Sequence, residues 1–162
     1  MMRSDLVAQI HIIANGEKVP ADLLCGIIEQ ESAGNTWAVR YEARWQWFLE
    51  PQKFATLNKI SYATERTLQQ FSWGLAQTMG SVARELGYMG PLQRLCDPEL
   101  GILYGAKKIR QLLEKYGHND EIAISCYNQG YPYKDDLGRF VNHDYVSNVI
   151  TYRKQYEPAT KV

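Results

Sequence analysis

The chain has no excess of charge of either sign: 18 basic and 18 acidic residues cancel to a formal net charge of zero. Long-range attraction to nucleic acid or to an anionic membrane surface therefore has no support. Apolar runs are short, and none approaches the ~20 residues of a membrane span. The first twenty residues are interrupted by Asp5, Gln9, His11 and Asn15, so the unbroken apolar core of a secretory signal is missing. Cysteine is scarce and odd in number. Cys25, Cys96 and Cys126 form no CxxC pair, and no His or Cys stands at zinc-ligand spacing around them. Neither a metal nor another cofactor is expected. Cys25 and Cys126 sit among apolar neighbours and read as buried free thiols, which fits synthesis in a reducing compartment. No repeat, low-complexity stretch or Gly/Ser linker divides the sequence. One domain over 1–162, acting as a monomer, is expected.

What is present is the balance of an ordinary globular protein, 45% hydrophobic and 22% charged over 162 residues, long enough to bury a core without staples. Eleven Tyr and four Trp are the one compositional excess. Their flat apolar faces and polar handles suit sugar rings as well as cores.

Helical periodicity dominates. Ser4 reads as the cap of a first helix over 4–14, ended by Asn15-Gly16. Pro20 opens a second with Leu23, Leu24, Ile27 and Ile28 on one face, closing near Ala33-Gly34. Residues 35–71 carry clustered aromatics and Pro51, and read as short helices and loops. A helix is expected from Ser72 through Gln77 to about Leu86, stopped by Gly87. Asp97-Pro98-Glu99 has the form of a helix start, followed by Ile102, Ala106, Ile109, Leu113 and Tyr116 at helical spacing. Asn119 caps the next helix, to Asn128, and a last one runs from His143 to Tyr156. Nothing alternates with period two for long, so the expected fold is mostly α.

Glu31 lies three residues after Ile28 and four after Ile27, on the apolar face of the second helix. Desolvation there favours the neutral acid, the form that protonates the leaving oxygen in glycosidic bond cleavage. Ser32 follows and can hydrogen-bond this carboxyl or a substrate. The alternative is that Glu31 ends the helix and points into water.

Glu31-Ser32, Ser72-Trp73-Gly74-Leu75-Ala76-Gln77, Ala123 through Tyr127-Asn128-Gln129-Gly130, and Tyr145 follow one another in an order that resembles the soluble lytic transglycosylase family. The family pattern is Glu-Ser, Gly-Leu-x-Gln, Ala-x-x-x-Tyr-Asn-x-Gly and a late Tyr. The resemblance covers about 20–156 and implies a goose-type lysozyme-like, mostly α fold, with peptidoglycan glycan strands as the partner. It implies Glu31 as the single acid/base, cleaving the MurNAc–GlcNAc β-1,4 bond and helping the muramyl hydroxymethyl group close an anhydro ring. It gives Ser32, Tyr127 and Tyr145 supporting roles, and substrate contact to Gly74, Leu75, Gln77 and Asn128. Cys126 stands where a small apolar residue is usual. The segment after Glu31 is longer than usual for the family, and with its Arg40-Tyr41-Glu42 and the later Ser-Trp-Gly-Leu it resembles phage-encoded members.

An inverting hydrolase needs a second carboxylate to activate water. Glu42, Glu50 and Glu65 are the acids in question, with a surface pair or helix cap the simpler role for Glu50. A goose-type-like lysozyme using Glu42 or Glu65 is thus the alternative enzyme. A chitinase- or chitosanase-like hydrolase fits the motifs less well. A non-catalytic wall-binding or virion module would not need an acid on an apolar helix face. The expected setting is a phage lysis enzyme made in the host cytoplasm and reaching the wall through a separate pore, or a virion component.

Overall fold

The computed structural model describes residues 1–157. Eight α-helices and three short strands are found among them: α1 Ser4–Glu17, α2 Ala21–Ser32, β1 Val39–Tyr41, α3 Pro51–Asn58, α4 Tyr62–Leu68, β2 Phe71–Trp73, β3 Thr78–Met79, α5 Gly80–Glu85, α6 Pro98–Lys115, α7 Asp120–Gln129 and α8 His143–Lys154. The mostly α expectation holds. No helix among the described residues is long and apolar enough to cross a membrane. The described residues form two compact units, 1–34 with 106–157 and 35–105. α6 begins in the second unit and ends in the first.

In the first unit, α2 buries Leu23, Leu24, Cys25, Gly26, Ile27 and Ile28 in succession. Ile109, Ile124, Val146 and Val149 are buried as well, each aliphatic side chain contributing about 1.5–3 kcal/mol on leaving water. α2 and α8 run antiparallel. Asp22 pairs with Arg153, and Gly26 faces Val149 and Arg153 so closely that a Cβ there would lie 2.8 Å from the Val149 carbonyl oxygen and 3.0 Å from the Arg153 nitrogen. Glycine at position 26 is what lets the two backbones meet. Arg153 also reaches Asp120 at the start of α7. Burial opposes its charge, but the two carboxylates outweigh that and hold the guanidinium above its ordinary range. All three cysteines are buried free thiols. Burial, with Asp22 and Glu29 adding to it, pushes the Cys25 thiol up to about 12, so it is not a nucleophile.

The second unit holds a three-stranded antiparallel sheet in the order β1-β2-β3, with Arg40 opposite Ser72 and Trp73 opposite Thr78. Trp73, Ala83, Tyr88, Leu92, Leu95, Cys96 and Tyr104 make its core. Tyr88 and Tyr104 meet edge to face at 5.0 Å.

Two expectations are corrected. The helix foreseen from Ser72 to Leu86 is a hairpin of β2 and β3 followed by the six-residue α5. Gly74 (φ +64°) and Gln77 (φ +48°) hold the turn in left-handed conformations that a helix cannot contain. The first helix runs past Asn15-Gly16 to Glu17. It is closed by Lys18 in the left-handed region, and the Val19 amide donates back to the Ala14 carbonyl.

Candidate active site

In the first unit Glu31 occupies the last turn of α2 and is half-buried, between the two environments the sequence left open. The Tyr145 hydroxyl, from the first turn of the antiparallel α8, donates to its Oε1 at 2.6 Å. The close contact at Gly26 sets that meeting, because it fixes the register of α2 against α8. Ser32 donates its hydroxyl to the Ile28 carbonyl at 3.2 Å.

Tyr127 is buried on α7 and Asn128 beside it is exposed. The Asn128 Oδ1 accepts from Asn142 Nδ2 at 3.0 Å. Asn142 also donates to the Ser125 carbonyl and accepts from the Ser125 hydroxyl, so it ties the end of α7 to the start of α8. Asn142 carried no recognisable signal, being one polar residue in a polar loop.

A second residue escaped the sequence reading. Lys108 on α6 donates to the Tyr127 carbonyl at 2.8 Å, and its ammonium lies 3.8 Å from the centre of the Tyr127 ring. Burial pushes this ammonium down to about 8, while Glu31 pulls it back up. Beside Lys107 it looks like part of a solvated face. The available signal was its spacing, four residues after Tyr104 and four before Leu112.

In the second unit, Gly74, Leu75 and Gln77 form the turn between β2 and β3. Gln77 is buried, and its amide is used within the unit. Nε2 donates to the carbonyls of Ala38 and Gly74, each at 2.9 Å, and Oε1 accepts from the Ser72 hydroxyl at 2.8 Å. Its side chain shapes the turn. A Cβ on Gly74 would lie 2.2 Å from the Leu95 carbonyl oxygen. Gly74→Ala combines this overlap with left-handed strain, and is expected to cost at least about 2 kcal/mol in urea denaturation. Loss of less than half that would show the turn can relax.

The two proposed second carboxylates are occupied. Glu65 is fully buried and accepts from Arg84 through both oxygens at 2.9 and 3.0 Å, and from Gln69 at 2.9 Å. That is a structural ion pair, unlike the water-accessible base an inverting hydrolase needs. Glu42 pairs with Arg40, and this pair is exposed. Glu50 pairs with Lys53 at 2.9 Å.

A helical unit that presents a half-buried carboxyl held by a tyrosine fits the lysozyme-like class of glycan-cleaving folds. The family model described as "Transglycosylase SLT domain" matches residues 9–139, and the chain belongs to this family. It is a lytic transglycosylase with peptidoglycan as substrate.

Proposed function

We propose that the chain cleaves the MurNAc–GlcNAc β-1,4 bond with Glu31 as its single acid/base and leaves anhydro-MurNAc ends. Glu31 gives its proton to the glycosidic oxygen as the bond to the muramyl C1 breaks. The C6 hydroxyl oxygen of the same muramyl residue then bonds to C1, and its proton passes to the Glu31 carboxylate, which restores the acid. Attack from within the substrate has a large effective concentration over water. The reading rests above all on the Tyr145 hydroxyl at 2.6 Å from Glu31. The engagement of Glu65 by Arg84 and of Glu42 by Arg40 supports a route that needs no second base. Sugar contact is assigned to Asn128 and to the backbone of Gly74 and Leu75, with Gln77 bracing that backbone.

Mass spectrometry of digested peptidoglycan tests the product. Anhydro-muramyl ends are expected, and reducing muramic ends as the sole product would mean that water attacks instead. Tyr145→Phe tests the support of the acid. Losing one hydrogen bond to a reacting group is worth roughly 1.5–3 kcal/mol, or one to two decades of turnover. A drop in melting temperature with unchanged turnover would leave Tyr145 a packing residue.

The biological setting we propose is a phage lysis enzyme made in the host cytoplasm and released to the wall through a separate pore. Arg40-Tyr41-Glu42 and Ser72-Trp73-Gly74-Leu75, which resemble phage-encoded members, support it. Expression in a bacterial cytoplasm is expected to lyse the cells only when a pore-forming protein is co-expressed. Lysis by the chain alone would argue against this route.

A further inference from the structure

Asn142, at the start of α8, meets α7 through both ends of its side-chain amide. One end lies 3.1 Å from the Ser125 carbonyl oxygen. A carbonyl oxygen only accepts, so that end is Nδ2. Its other proton goes to the side chain of Asn128 at 3.0 Å, and the atom there must accept, which makes it Oδ1. The opposite end, Asn142 Oδ1, takes the proton of the Ser125 hydroxyl at 2.9 Å. That hydroxyl is in turn the acceptor for Gln129 Nε2 at 3.1 Å. Each donor meets an acceptor, and the direction of the bonds follows from a backbone atom that cannot turn.

The consequence falls on Asn128, which is exposed at the end of α7. An exposed asparagine ordinarily turns its amide and offers either end to a ligand. With Oδ1 held by Asn142, Asn128 turns Nδ2 and its two protons the other way. On a MurNAc–GlcNAc strand a sugar hydroxyl both donates and accepts, and would fit either end of an amide. The acetamido carbonyl oxygen only accepts. A fixed donor therefore selects for it, and against a de-N-acetylated sugar, whose ammonium presents protons instead.

We propose that Asn142 is a positioning residue that sets substrate specificity: it locks Asn128 as a hydrogen-bond donor toward an N-acetyl carbonyl of the glycan strand. This rests on the sugar contact assigned to Asn128. Asn142 needs no contact with the substrate itself. Its effect is to decide which end of the Asn128 amide the sugar meets.

The test uses the full chain, its Asn142→Asp and Asn128→Asp variants, and peptide-free glycan strands, either intact or partly de-N-acetylated. Asn142→Asp keeps the size of the side chain and suits a helix start. It has only acceptors, so Asn128 turns Nδ2 toward it and Oδ1 toward the sugar. The ratio of kcat/KM on intact over de-N-acetylated strands is expected to fall about tenfold from its wild-type value, the loss of one hydrogen bond. Asn128→Asp keeps an acceptor for Asn142 but has no donor, and should lower the ratio at least as far. Damage to packing alone slows both substrates together and leaves the ratio unmoved. That result in Asn142→Asp, with the ratio lowered in Asn128→Asp, makes Asn142 a tie between α7 and α8 and overturns this proposal alone. An unmoved ratio in Asn128→Asp removes the sugar contact and this proposal together. Side-chain amide exchange with water, followed by NMR on the wild type, reads the orientation without a variant. The Asn142 protons are expected to exchange slowly and those of Asn128 fast. If Asn142→Asp does not fold, this measurement decides, and protected Asn128 protons overturn the proposal.

Discussion

Glu31→Gln is expected to lower turnover of purified peptidoglycan by about a thousandfold, within the range general acid catalysis contributes. The substitution keeps the size of the side chain and an oxygen able to accept from Tyr145, whose hydroxyl donates to Oε1. It removes only the proton that can be transferred. The α2–α8 contact at Gly26 lies more than a turn away, so the fold should persist, with a melting temperature within a few degrees of wild type. Turnover within tenfold of wild type in a clearing assay would sink the assignment of Glu31 as the acid. Loss of both activity and the folded state would make Glu31 a structural residue.

The largest expected effect on stability lies in the second unit. Arg84→Met should destabilise the protein by about 3–5 kcal/mol, because it leaves the Glu65 carboxylate buried without its counter-charge. Both side chains are essentially inaccessible, at 0% and 1% exposure. Arg84 also donates to the carbonyls of Tyr88 and Gly90, which lose their donor at the same time. Glu65 and Gln69 in turn hold the aromatic segment, since the Gln69 amide pairs with both the N–H and the C=O of Leu49. At about 2–4 °C per kcal/mol for a chain of this size, the melting temperature should fall by roughly 6–20 °C. A shift under 3 °C in calorimetry would mean that water or a local rearrangement takes over the role of Arg84. Glu65→Gln separates the two enzyme mechanisms. It should lower stability yet leave turnover per folded molecule near wild type, whereas loss of turnover at unchanged stability would restore Glu65 as a base.

The parts of the fold that were readable are those with local causes. The Asn119 side chain caps Ile122 as its position before an apolar run implied. Asp97 lies extended before Pro98, and its carbonyl accepts from Gly101 at the start of α6. The hairpin at 71–79 was not readable. Its strands are two and three residues long and buried almost throughout, so neither a period of two nor one of 3.6 could emerge. The conformation is decided instead by Gly74 lying against the Leu95 carbonyl, a contact between residues twenty-one apart. The order of the motifs singled out Glu31 and Tyr145, which a hydrogen bond joins, because that order reflects chain positions. It could not reveal Lys108 or the Glu65–Arg84 pair, whose meaning comes from burial and from partners elsewhere in the chain.

The glycine at position 26 has a consequence for Glu31. A tyrosine ring is rigid, so the reach of the Tyr145 hydroxyl to Glu31 has no slack to absorb a change in the spacing of α2 and α8. Position 26 lies about 7.5 Å along the helix axis from position 31, and the atoms it meets on α8 are backbone. A methyl group added there cannot be accommodated by turning a side chain; it must part the helices. The geometry of the Glu31–Tyr145 pair is therefore tuned by volume at a residue outside that pair. Variation at position 26 should alter catalysis as a change of distance, with every reacting group still present.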